Sequence, residues 1–138
     1  MKILLSMILV SAMQAAAPSP VQIVSREVMS MVEDPKQAVA RSASEWASLW
    51  RQHAGATALP PVDFGSRTVV AIFLGSRSSA GYTADIVRLR EANGALIVEW
   101  QERTPQRGDV SAQVLTSPAL IATVPKFAGA IKFEKVER

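Results

Sequence analysis

Enzyme chemistry needs a nucleophile with its base, a pair of acids, or a metal, and this chain is sparing with all three. It carries one histidine, His53, and no cysteine. Acyl transfer of the triad type requires a base beside the nucleophile. Serines are plentiful, yet no G-x-S-x-G or S-x-x-K spacing occurs. Without cysteine there is no thiol catalysis, disulfide, iron–sulfur cluster or acyl-cysteine anchor. With one imidazole and no thiolate, zinc or copper lacks its usual ligands. Asp85, Glu91, Glu99, Glu102 and Asp109 are scattered without the spacing of a calcium loop. Gly75–Gly81 is followed by neither G-K-[ST] nor a helix, so it is no phosphate cradle. No metal, cofactor or catalytic residue is expected. The one enzymatic alternative is a hydrolase with dispersed carboxylates, around Asp85, Glu99 and Glu102, whose separation only a structure gives.

What the sequence offers instead is a binding loop on a stiff support. Thr68–Tyr82 reads T-V-V-A-I-F-L-G-S-R-S-S-A-G-Y. Val69–Leu74 has the composition of a strand buried on both faces. The loop behind it is built of small residues, so its backbone can approach another chain closely. Gly75, Arg77, Ser78, Ser79, Gly81 and Tyr82 are the candidate partner-binding residues. Among small neighbours, Arg77 is expected to project as a guanidinium fork for carboxylates or carbonyls. Tyr82 is an amphipathic side chain of the type enriched at interfaces. The bland alternative is a plain connection with Tyr82 packed inward.

The elements that would carry this loop follow from periodicity. Ala43–His53 places Trp46, Leu49, Trp50 and His53 at i, i+3, i+4 and i+7, a single apolar stripe. Ser42 and Glu45 have capping-box spacing, and Gly55 suits its end. This stripe is expected to pack on a sheet, with His53 structural. Thr83–Glu91 and Ala95–Gln101 form a hairpin about Asn93-Gly94, with Leu96, Val98 and Trp100 on its core side. Val21–Ser25 and Gln37–Ala40 are strand candidates, and Arg26–Asp34 is ambiguous between helix and strand. Ala112–Leu115 is expected to resume a strand that Ser117-Pro118 interrupts. Ala119–Val124 is a further apolar run, and Ile131–Glu134 reads as a closing strand. One early helix followed by successive strands implies an α+β fold: a single domain with a mainly antiparallel sheet, sandwich or barrel, and one amphipathic helix packed on it.

The 138 residues suit one domain. Residues 1–17 have a positive start, an apolar run and a small-residue end, the pattern of a secretory signal peptide. The mature domain would then be 18–138, exported to the periplasm or secreted. That apolar run is too short to span a bilayer, and no later segment is long enough. The formal net charge is +3, with the cations scattered, so nucleic acid is not indicated as partner.

The ordered pieces Val62-Asp63-Phe64, Thr68–Gly75, Gly81-Tyr82 and Gly94–Val98 resemble the PrcB C-terminal domain family. The likeness continues through Glu102 with Pro105, Gln113 with Thr116 and Pro118, Val124-Pro125-Lys126 and Ile131-Lys132-Phe133. It covers roughly residues 42–134. The family is named for an exported lipoprotein subunit that associates with a subtilisin-like protease. The resemblance therefore implies a non-enzymatic accessory protein with a protein partner, an exported protease by analogy. Family members tend to carry proline and threonine where this chain has Ser78 and Ser79, and the lipoprotein cysteine is missing. The loop is also similar, more weakly, to the N-P-T-T-G-Y loop of chagasin-like protease inhibitors, which leaves loop-type inhibition as an alternative.

Overall fold

Residues 69–74 have no polar side, and the fold covers both of their faces. The computed structural model describes residues 20–108 and 112–137. The expectations for residues 1–17 and for Asp109 lie outside them. The described elements are β1 (Gln22–Glu27), β2 (Lys36–Ala40), α1 (Ala43–Ala54), β3 (Arg67–Phe73), β4 (Thr83–Ala92), β5 (Ala95–Arg103), β6 (Ala119–Pro125) and β7 (Ile131–Lys135). One sheet has the order β1-β6-β3-β2, and the other β4-β5-β7. All pairings are antiparallel except β5 with β7, which is parallel. The expected α+β, mainly antiparallel architecture is present as two packed sheets, and they do not close into a barrel.

Strand alternation assigns the layers. Val69, Ala71 and Phe73 of β3, with Ala119 and Ile121 of β6, meet Trp46, Leu49 and Trp50 of α1. The intervening side chains turn the other way. Val70, Ala122 and Val124 pack on Leu96 and Val98 of β5, while Ile72 and Leu120 meet Ala84 and Trp100. The order is helix, sheet, sheet, and β3 is buried because it serves both interfaces. Each large apolar side chain so buried contributes about 1.5–3 kcal/mol.

The helix begins where the sequence places it. Ser42 Oγ accepts the Glu45 N–H at 3.2 Å, and Glu45 Oε1 accepts the Arg41 N–H at 2.9 Å, one residue beyond the capping-box position. The Trp46 and Trp50 indoles donate to the Pro60 and Thr57 carbonyls, each at 2.9 Å. These bonds lay the proline-stiffened connection along the helix. In the hairpin, Asn93 (φ 52°) and Gly94 (φ 77°) make the primed turn.

Two expectations need correction. Ala112–Leu115 is not a strand; β6 starts only at Ala119. Thr116 pairs with Arg77 and Ser117 with Met29, one antiparallel bridge and one parallel, on two different segments, so no ladder can propagate. Arg26–Asp34 is neither a helix nor a second strand: β1 ends at Glu27, and an irregular segment runs on to β2.

Candidate functional site

The loop after β3 is held by its own chain. Gly75 is buried at φ +81°, and a Cβ there would lie 2.8 Å from the Pro35 ring. The close approach that its lack of a side chain permits is to Pro35, not to a foreign chain. Arg77 exchanges backbone hydrogen bonds with Thr116, at 2.8 and 2.9 Å. Its guanidinium turns inward, correcting the expectation of a projecting fork. Nε donates to Glu102 Oε1 at 2.7 Å, and Nη1 to the Leu74 and Ser76 carbonyls at 2.9 and 3.0 Å. The cation also lies 5.8 Å from the Tyr82 ring centre. The Leu74 carbonyl at the end of the buried strand is an acceptor within reach, and Glu102 completes the fork.

Ser79 is buried: its carbonyl accepts Thr116 Oγ1 at 3.0 Å, and its own hydroxyl donates to the Ala80 carbonyl at 3.1 Å. Tyr82 is half-buried against the Ile72–Trp100 cluster. Ser78 and Gly81 are exposed. Of the six candidate residues, the structure therefore presents Ser78 and Gly81, partly shows Arg77 and Tyr82, and covers Gly75 and Ser79.

The same bonding gathers a wider rim. Ser30 N–H donates to the Ser117 carbonyl at 2.8 Å, and Ser117 N–H to the Val28 carbonyl at 3.0 Å. With the Arg77–Thr116 bridge, this joins residues 28–31, 75–82 and 112–117 at one end of the sheets. Val28, Met29, Met31, Val114 and Leu115 are all more than half exposed there, Leu115 at 74%. Reading Ala112–Leu115 as a strand concealed this patch. Two adjacent aliphatics just before a Ser-Pro stop were its only signal.

The dispersed carboxylates are each held by cations. Asp85 lies 2.9 Å from Arg26 and 3.7 Å from Arg103; Glu99 lies 2.6 Å from Arg88 and 3.1 Å from Arg90. Glu102 lies 2.7 Å from Arg77 and 3.2 Å from Lys135. The hydrogen bond from Arg88 keeps the Glu99 carboxyl below its ordinary range, and that from Arg77 does the same for Glu102. A general acid working near neutrality requires the opposite shift. Glu99 and Glu102 are thereby held in their ionised form.

His53 sits on the buried stripe of α1, 2% exposed. Its Nδ1 is 2.7 Å from Ser30 Oγ, a bond between distant segments that no sequence spacing could show. Its Nε2 is buried without a hydrogen-bond partner. Burial pushes the imidazole pKa below its ordinary value, opposed by the Glu27 charge. Among the described residues, no three His, Cys, Asp or Glu side chains converge as a metal cage. No described helix is long and apolar enough to cross a membrane.

The structure is thus a helix-on-sheet-on-sheet module with three loop segments gathered at one end and Asp85, Glu99 and Glu102 each held in ion pairs. Residues 68–125 match the family model of the PrcB C-terminal domain, and this stretch belongs to that family. It spans β3 to β6, including the Gly75–Tyr82 loop, the hairpin and the Val114-Leu115 segment. No curated protein and no solved structure matches the chain.

Proposed function

We propose that this chain is an exported, non-enzymatic accessory subunit of the PrcB kind, which engages a protein partner through the rim formed by residues 28–31, 75–82 and 112–117. The observation that carries this reading is that the hydrogen-bonded segments beside the candidate loop bear several more-than-half-exposed apolar side chains, Leu115 the most exposed of them, partly within the family-matched stretch. Contiguous exposed apolar surface on a small domain is characteristic of an interaction site. Ser78 and Gly81 add exposed, sterically undemanding backbone beside it. Arg77 and Tyr82 act mainly by fixing the loop, with their outer edges available to the partner. The exported subtilisin-like protease associated with the family is the first partner to test.

The test is affinity purification of the tagged chain from its native cells, wild type beside Leu115→Glu. A protease should co-elute with the wild type, and the charge on the rim should reduce its recovery at least tenfold. Equal recovery from a folded Leu115→Glu protein would remove the rim from the proposal. Protease activity measured in the recovered complex separates the accessory role, in which cleavage persists, from loop-type inhibition, in which it is suppressed.

A further inference from the structure

The two sheets end in four strand edges, β1 and β2 on one and β4 and β7 on the other, and these edges are not alike. On the flank shared by β1 and β4 the register shifts within each pairing, between Ile23 and Ser25 and between Ile86 and Arg88. The Arg26 guanidinium crosses that flank, donating to the Ala84 carbonyl at 3.0 Å and pairing with Asp85 at 2.9 Å. Bulges and a covering cation blunt an edge against further pairing. β2 and β7 share the other flank, where Val39 of β2 packs into the cluster that holds Ile131 and Phe133. Both of these edges pair in unbroken register.

On β7 the backbone groups that point outward can be assigned. The Leu96 N–H donates to the Ala130 carbonyl at 2.9 Å, and the Val136 N–H to the Trp100 carbonyl at 2.7 Å. The even-numbered residues therefore face β5, and alternation turns the N–H and C=O of Ile131, Phe133 and Lys135 away from it. Because β7 ends its sheet, these groups meet no other strand among the described residues. The side chains alternate as well: Ile131 and Phe133 are half-buried, while Lys132 and Glu134 between and after them are exposed.

We propose that β7 is a self-pairing edge whose partner is a second copy of this chain, docked antiparallel about a two-fold axis at Phe133. This register sets Phe133 opposite its own copy and Ile131 opposite Lys135, so the outward N–H and C=O groups satisfy one another. It also sets Lys132 of each copy opposite Glu134 of the other, a favourable cross-strand pair. Arg90 engages Oε2 of Glu134 at 2.7 Å, and Oε1 is the atom offered to the lysine. The neighbouring in-phase registers would oppose Lys132 to Lys132 or Glu134 to Glu134, which like charges disfavour. Charge thus selects one pairing, and its closed symmetry stops at the dimer. None of these residues belongs to the Leu115 rim, so the edge and the rim stand or fall separately.

Sedimentation velocity of the full chain over a concentration series should show monomer passing into dimer. Amide hydrogen exchange over the same series should slow at Phe133 and Lys135 as the dimer forms. Lys132 and Glu134, bonded to β5, should be protected throughout. Lys132→Glu and Glu134→Lys should each weaken dimerisation at least tenfold, and the double swap should return it to the wild-type level. Both positions are exposed, so urea midpoints of the dilute monomers should stay unchanged and show that the variants fold. A chain that remains monomeric, a dimer indifferent to both single changes, or a swap that fails to restore pairing would overturn the proposal.

Discussion

At Arg77 a single guanidinium closes the loop by holding Glu102 and the Leu74 and Ser76 carbonyls. Removing it leaves a largely covered carboxylate short of one cation and two carbonyls short of a donor. Arg77→Ala should therefore lower stability by about 1–2 kcal/mol in urea unfolding. Arg77→Lys should recover only part of the loss, because an ammonium cannot reproduce the fork. An unchanged midpoint in Arg77→Ala would show that the loop is held without it. Glu102 carries the matching pH dependence. Its folded pKa lies below the ordinary carboxylate value. Its contribution to stability is accordingly complete above the unfolded pKa of about 4.3 and is lost as the pH falls through the lower folded value. Glu102→Gln should flatten the acid limb of the stability–pH curve in that window, as read by urea midpoints from pH 6 downward.

The elements were legible wherever a local pattern forced one answer. The α1 stripe, the Asn93-Gly94 turn and the double-sided β3 combine pattern, cap and turn chemistry that agree with one another. The stripe carries a strong consequence: Trp46, 2% exposed at the helix–sheet interface, should cost roughly 3–5 kcal/mol when cut to alanine, measured in the same urea assay. The loop's interior was not legible, because its partners lie far away in sequence. Arg77 meets Thr116 and Glu102, and Gly75 meets Pro35. Nothing in S-R-S-S-A-G announces those contacts. The same is true of Ser30 and His53, which are 23 residues apart. Gly75→Ala makes the point testable. It combines a positive φ with a Cβ pressed on Pro35 and should destabilise by about 1–3 kcal/mol. A neutral substitution would mean that Pro35 gives way without cost.

Across the whole molecule, the two sheets and the helix serve to hold three loop segments at one end, where polar chemistry is muted and apolar surface is exposed. The outer face of the β4-β5-β7 sheet is different in kind. Arg88, Glu99, Arg90 and Glu134 form a continuous chain of ion pairs there, a solvated surface with little apolar area to offer. On the proposed reading, this asymmetry between the two surfaces is what favours the rim as the place where a partner docks. The PrcB C-terminal family match ties the rim's central segments to a known type of domain. The most direct measurement is the recovery of the proposed protease partner on wild-type and Leu115→Glu chains of equal thermal stability. The account predicts protease with the wild type and at least tenfold less with the variant. Equal recovery on both, or no protease on either, would contradict it.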